Sequence, residues 1–362
     1  MALKLTTRMP YGNACATRID TDGDEVEVQF SPSPCGHAES LWFYFRLSES
    51  TPETPQGTRV KLILRHADSL SGIEEPSALV PVYHKDGQGW SRMKHGVIER
   101  GPDGQRRVVW NLRYPEPAVE VALCYPYGMP EIKNLLSKAK GYWKLDSIGI
   151  SGGGREIVRL SNIYQATSDH HPGLYIVARR HAGETPGSWV LDGLLRHLSV
   201  SGKTPLMVWA LPLADIDGVL RGHYRASAVD SSRPELRILD ADVQRWKERC
   251  RPLLLLEMSA SAVSSHDGVH GCLPAESDTD PELRKEAERW ANMFKTALTP
   301  TYASSDFIRE TGEPLVFAHH GICSLSIHIP YSQIGSTELT PKDYRQLGKR
   351  LADAVIRRQR KS

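Results

Sequence analysis

The sequence predicts two domains: an N-terminal antiparallel β-sandwich, then an α/β/α domain around a mixed central sheet. Residues 1–130 hold short apolar or alternating runs separated by Pro, Gly and Asp. Residues 131–362 alternate apolar runs with segments that carry an apolar stripe at helical spacing. The chain is 362 residues long, enough for two domains and a sizeable core.

In the first domain, Glu25-Val26-Glu27-Val28-Gln29-Phe30 alternates polar and apolar residues, as a half-buried strand does. Leu41 to Leu47 is a denser aromatic strand, and Val60–Leu64, Leu79–Tyr83, Val108–Leu112 and Val119–Cys124 follow. The aromatic residues read as sandwich core rather than as a ligand platform.

The second domain starts near Pro130, with a linking helix over Glu131–Lys140. Ile148–Ser151 and Ile157–Leu160 read as a hairpin around Gly152-Gly153-Gly154-Arg155. Those glycines make a tight turn, since no Gly-Lys-Ser/Thr and no following helix mark a phosphate loop. Leu174–Ala178 reads as a buried strand, and a helix starts near Ser188 with Trp189, Leu191, Leu194, Leu195 and Leu198 on its apolar side. Pro205–Leu211 is another strand, and Leu253–Leu256 suits a central strand covered on both faces. Pro281–Leu298 carries Leu283, Ala287, Trp290, Phe294 and Ala297 at helical spacing. The last helix opens on Thr340 as N-cap and Pro341 at its first position.

Lys plus Arg number 45 and Asp plus Glu 43, a formal charge of +2. A dedicated nucleic-acid binder would carry a strong basic excess, so none is expected here. No apolar run reaches the ~18 residues of a membrane span, so no membrane partner is expected. The opening residues lack the apolar core of a signal peptide. Six cysteines without metal-type spacing read as reduced thiols of a cytoplasmic protein.

His181 and Glu184 stand just beyond the Leu174–Ala178 run. Imidazole nitrogen and carboxylate oxygen are both zinc ligands, and open α/β sheets bind ligands at the carboxyl ends of their strands. The H-x-x-E pattern alone also arises in ordinary solvated loops. The wider string from Arg179 to Trp189, Arg-Arg-His-Ala-Gly-Glu-Thr-Pro-Gly-Ser-Trp, is more specific. It resembles the R-x-H-P-G-E-T-x-x-S-W stretch of the zinc carboxypeptidase superfamily, in its cytosolic carboxypeptidase branch, with Ala182 in place of Pro. The first domain resembles the sandwich that precedes catalysis in that branch, at Trp42-Phe43-Tyr44-Phe45-Arg46, Gly89-Trp90 and Cys124-Tyr125-Pro126-Tyr127.

The resemblance implies roles. His181 and Glu184 match the family's first two metal ligands. Asp215 to Arg225 resembles its N-P-D-G-x-x-x-G-x-x-R stretch, which puts Arg225 at the arginine that polarises the scissile carbonyl. Asp230-Ser231-Ser232-Arg233 resembles N-L-N-R, which makes Arg233 the clamp on a substrate carboxylate. An arginine fork suits that work because it can make two hydrogen bonds to a carboxylate. Two positions depart from the pattern. Ser259, in Glu257-Met258-Ser259-Ala260, stands where the third ligand, a His, is expected. His328, in Ser326-Ile327-His328-Ile329-Pro330-Tyr331, stands at the place of the catalytic Glu.

Three readings of the departures stand side by side. The site is a binding pocket only; or His328 replaces the missing ligand beside His181 and Glu184; or His328 is the base, with the third ligand from His266 or His270. As a lone His on a strand, His328 also reads as an ordinary core residue. His170, His171, His319 and His320 read as surface pairs. The expected function is a metal-dependent carboxypeptidase-like hydrolase, acting on an amide bond near a free carboxylate through an altered site. Its metal is zinc or another divalent transition metal, held more weakly than in a complete site. Its substrate is a peptide or small carboxylate-bearing molecule. The alternative is an inactive homologue that binds peptides.

Overall fold

The computed structural model describes residues 3–22, 25–35, 40–49, 58–70, 75–113, 118–163, 171–201, 206–225, 233–310 and 320–360. The chain divides into two compact units. One comprises Met1–Pro126 with Gly218–Ser227 and Ala262–Ser265; the other comprises Tyr127–Asp217, Ala228–Ser261 and His266–Ser362.

The first unit contains β1 (Leu3–Thr6), β2 (Cys15–Asp22), β3 (Glu25–Ser31), β4 (Tyr44–Glu49) and β5 (Arg59–Leu64). β6 (Val82–Lys85), β7 (Trp90–Arg92), β8 (Val97–Arg100), β9 (Arg106–Arg113) and β10 (Ala118–Ala122) complete it. They form two five-stranded sheets, ordered β1-β4-β10-β6-β7 and β2-β3-β5-β9-β8. Neighbours run antiparallel except β3 and β5, which are parallel. Parallel neighbours need a crossover, and β4, in the other sheet, supplies it. Val26, Val28 and Phe30 alternate inward along β3. Phe30 meets Phe45 of the opposite sheet edge-on, ring centres 4.8 Å apart, and Phe43 at 5.1 Å. Offset and edge-on aromatic pairs of this kind fill a sandwich core with favourable quadrupole geometry. Leu41, Trp42 and Phe43, expected as strand, are buried but precede β4.

The Gly218–Ser227 segment is stapled within this unit. Asn13 Nδ2 donates to the Gly222 carbonyl at 2.6 Å, and Tyr11 N donates to Leu220 O at 3.3 Å. Gly222 has φ +70°, and a Cβ there would meet the carbonyl oxygens of Tyr11 and Gly12 at 2.7 Å, so the position calls for glycine.

The second unit runs α1 (Met129–Lys138), β11 (Lys144–Ile150), β12 (Glu156–Ser161), β13 (Pro172–Ala178), α2 (Thr185–Val200) and β14 (Met207–Leu211). After α3 (Ile216–Arg221), most of which belongs to the first unit, come α4 (Pro234–Lys247), β15 (Arg251–Ala260), β16 (Val269–Leu273) and α5 (Pro281–Leu298). β17 (Ala303–Glu310), β18 (Ser324–Ile329), the small hairpin of β19 (Gln333–Ile334) and β20 (Thr337–Glu338), and α6 (Pro341–Gln359) end the chain. The eight-stranded sheet is ordered β11-β12-β14-β13-β15-β18-β16-β17. Its centre, β14-β13-β15-β18, is parallel, while β16 runs antiparallel to β18 and β12 antiparallel to β14. The mixed sheet with helices on both faces is the α/β/α architecture that the alternating pattern predicts.

Helices α2 and α5 cover one face, and α6 packs on both. The α2–α6 contact is close because it is built on glycines: a Cβ on Gly348 would lie 2.0 Å from Val190 O. α4 lies on the other face, where Trp246 meets Tyr175 edge-on at 5.5 Å. Asp242 of α4 is fully buried and takes Arg159 Nη1 at 2.6 Å and the Tyr175 hydroxyl at 2.8 Å. Pairing and hydrogen bonding of this kind are what make a buried carboxylate tolerable. Among the described residues no helix is long and apolar enough to cross a membrane.

Candidate metal centre

β13 delivers the His181 segment. All seven of its residues are buried, and the backbone then turns sharply at Arg179, whose φ is +61°. Ala214 N and Asp215 N donate to the carbonyls of Ala178 and Arg179 at 3.0 and 2.9 Å, fixing that exit. The turn closes with Glu184 N donating to His181 O at 3.1 Å, and Glu184 becomes the N-cap residue of α2. Helix α2 therefore starts at Thr185, slightly before the expected Ser188. The Tyr331 hydroxyl donates to Gly183 O at 3.2 Å and so braces the turn. His181 and Glu184 are buried.

Arg233 precedes α4, and its Nη2 lies 2.9 Å from Asp215 Oδ1. Its guanidinium already has a carboxylate partner. Arg225 belongs to the segment that packs with the first unit and is half-buried. Asp230, Ser231, Ser232, His170 and His319 lie outside the described residues. His320 is paired with Asp240 at 2.8 Å, and His266 meets Gln333 Nε2 at 3.1 Å.

The two departing positions are neighbours. Along β15, β18 and β16 the side chains alternate between faces, as strands require. Leu256, Met258, Leu325 and Ile327 share one buried face with Gly271. On the opposite face, two register rows of these three strands carry polar or ionisable residues, next to the apolar Leu255 and Val177. Glu257, Ser326 and Cys272 form one row; Ser259, His328 and His270 form the other. All are buried except His328, which is half-buried. Arg180 Nε lies 2.5 Å from Glu257 Oε1 and offsets its charge. Ser259 Oγ contacts Glu257 Oε1 at 3.5 Å, a weak hydrogen bond.

Within that face, His270, Cys272 and His328 hold one donor atom each within 4.8 Å of one another. Among the described residues this is the one group of three or more His, Cys, Asp or Glu donors so arranged, and His181 and Glu184 are not part of it. The imidazoles of His270 and His328 stack with centres 5.1 Å apart and planes 14° apart. Burial, then the neighbouring His328 and Arg309, push His270 down to about 3, so its ring is neutral. Burial pushes the Cys272 thiol up to about 11; Arg309 opposes this and Glu257 adds to it. Both groups are therefore uncharged at neutral pH.

The residues present do not complete the metal set that the resemblance implies. It gives two places to His181 and Glu184, but at the third, position 259 offers a neutral serine hydroxyl, which is not among the usual zinc donors. The sequence singles out His328 and offers His266 or His270 as a substitute ligand; of these two only His270 lies in the group. It does not single out Cys272, which reads there as an isolated thiol. The available signal was the His-Gly-Cys spacing, which puts two donors on one face once the segment is a strand.

No family model matches the chain. Among characterised relatives, it is 24% identical to cytosolic carboxypeptidase 2 of Danio rerio over 216 residues, 51% of this chain and 29% of that protein. It is 26% identical to human cytosolic carboxypeptidase 2 over 251 residues, 62% of this chain and 28% of that protein. The chain thus spans less than a third of the length of these relatives. Among solved structures, a metallo-carboxypeptidase from Burkholderia cenocepacia superposes with a TM-score of 0.75 at 18% identity, covering 98% of both chains. A metallo-carboxypeptidase from Pseudomonas aeruginosa, solved in complex with (2-guanidinoethylmercapto)succinic acid, gives a TM-score of 0.75 at 18% identity over 98% of this chain and 99% of that one. With the two sheets of the first unit and the mixed sheet of the second, these likenesses show that the chain has a carboxypeptidase-like fold.

Proposed function

We propose that the protein is a metal-dependent hydrolase of the carboxypeptidase type, acting on an amide bond near a free carboxylate through an altered site. The observation that supports this is the polar face formed by Glu257, Ser259, Ser326, His328, His270 and Cys272. Burying such groups costs free energy, and perturbed buried groups cluster where chemistry is done. A chain that kept only the scaffold could fill this face with apolar side chains at lower cost. The candidate metal-side residues carried by the resemblance are His181, Glu184 and His328. On the substrate side, Arg225 and Arg233 supply cations for a peptide or small carboxylate-bearing substrate. None of the six cysteines forms a disulfide, in keeping with the cytoplasmic setting proposed for the protein.

Two observations favour a second reading. Arg233 is occupied by Asp215, and Ser259 lacks ligand character, both of which suit an inactive peptide-binding module. The deciding experiment incubates metal-replete protein with N-blocked peptides, some acidic at the C-terminus, as free acids and as C-terminal amides. The hydrolase reading expects release of the last residue from the free acids, abolished by a chelator. Saturable binding of free acids without any release would replace it by the binding module.

A further inference from the structure

We infer that His270, Cys272 and His328 form a zinc seat that takes over from the family's place at His181, Glu184 and position 259. The assignment rests on the metal-dependent reading above and names the ligands; His328 is common to both sets. Donor chemistry comes first. Two imidazoles and a thiolate suit zinc and other borderline or soft ions, whereas magnesium and calcium take oxygen ligands.

Geometry comes second. His270 and Cys272 alternate on β16 and so share a face, and His328 lies directly across from His270 on β18. Zinc bonds of ~2.1 Å to nitrogen and ~2.3 Å to sulfur place tetrahedral donors roughly 3.3–3.7 Å apart. The three donors lie within 4.8 Å of one another, so small side-chain rotations close the set.

The third observation is His270 Nδ1, which is buried and has no hydrogen bond of normal geometry among the described residues, although the Gly268 backbone lies close to the ring. A purely structural buried histidine would be expected to satisfy that nitrogen. Binding balances simply: Cys272 releases its thiol proton to solvent, both histidines bind neutral, and the three-ligand site gains one positive charge. Glu257, in the row of Cys272, faces that charge. Three protein donors are the number found in open zinc sites rather than closed structural ones.

The register explains why these residues serve. Ser259, His328 and His270 occupy one row across three strands. The donor missing from β15 is matched by donors one and two strands away on the same face.

The test uses the full chain, stripped with a chelator and then titrated with Co2+ under absorption and with Zn2+ against a chromophoric chelator. A cobalt–thiolate bond gives a near-ultraviolet charge-transfer band that nitrogen and oxygen ligands alone do not. The expected result is a single equivalent of metal with that band in the parent protein. Cys272→Ser should lose the band, and His270→Ala and His328→Ala should each weaken zinc at least about tenfold, no less than the loss of an outer-shell partner. The parent spectrum needs no variant, so misfolding of one cannot blur the outcome. Binding without the band, or no stoichiometric metal, would overturn the assignment. A band without peptide hydrolysis refutes the hydrolase reading alone; metal-dependent hydrolysis without a band refutes this seat alone.

Discussion

Replacing His270 with glutamine should flatten the acid side of the stability curve of the metal-free protein. His270 is only 7% exposed. Its surroundings are His328 from β18, Cys272 from its own strand, Arg309 from β17 and Glu257 from β15. Burial, then the neighbouring His328 and Arg309, hold its pKa at about 3, against ~6.5 when unfolded. The folded value is the lower one, so between the two values the unfolded chain binds more protons. Stability is therefore full above the unfolded pKa and is lost as pH falls toward the folded one. At about pH 5 the proton taken up by the unfolded imidazole costs ~2 kcal/mol of stability, and this figure is insensitive to the folded value once that lies below ~4.

Glutamine keeps hydrogen-bonding capacity and carries no charge at any pH. Urea unfolding in chelator, at about pH 7.5 and about pH 5, reads the difference directly. The parent should lose ~2 kcal/mol more than His270→Gln between the two conditions. Only the change with pH is compared, so any constant cost of the substitution drops out. Equal losses in the two proteins, within ~0.5 kcal/mol, would refute the reasoning and mean that His270 titrates near its ordinary value.

Other substitutions test the packing and the substrate side. Asp242→Ala leaves Arg159 and the Tyr175 hydroxyl without their buried partner, so unfolding should become easier by ~3–5 kcal/mol, read from the urea midpoint at constant slope. Gly348→Val forces α2 and α6 apart, because even its Cβ falls 2.0 Å from Val190 O; a loss of ~1–3 kcal/mol or more should appear as a lower thermal midpoint. Arg233→Ala should weaken free-carboxylate ligands by about tenfold to a hundredfold and leave amidated ones nearly unchanged, measured by calorimetry. If the unmodified protein binds both ligand types equally, the clamp role of Arg233 is wrong.

The parts of the fold that were legible are those that local chemistry settles. Leu174–Ala178 and Leu253–Leu256 are apolar without interruption, and both are central strands. Thr340 caps α6 and Pro341 starts it, as the turn residues require. Helix α4 was not read because its buried face is broken by charge: Leu239, Val243 and Trp246 are interrupted by the buried Asp242, whose partners come from β12 and β13. Strand β16 was hidden for a related reason, since His270, Gly271 and Cys272 give no apolar alternation although every residue of the strand is buried. The parallel pairing of β3 with β5 has no periodic signature at all, because period reports which face is buried and not which strand lies alongside.

The site divides along the same line. His181 and Glu184 sit in one continuous turn, so a string of adjacent residues carries them. Ser259 and His328 look in sequence like two unrelated losses, one of a ligand and one of a base. In the sheet they face each other across β15 and β18, and His270 extends the row. Neighbouring cross-strand Cβ atoms lie ~4.5–5.5 Å apart, close to the span that one metal ion bridges between its donors. A donor lost at one position in such a row can therefore be replaced from the next strand without moving the backbone. That makes the two departures readable as one exchange along a row, and it turns on Cys272, the one donor of the three that the sequence does not single out. Register alone brings that thiol to the histidines, which is why the cobalt spectrum of the parent protein, rather than a residue comparison, decides where the metal sits.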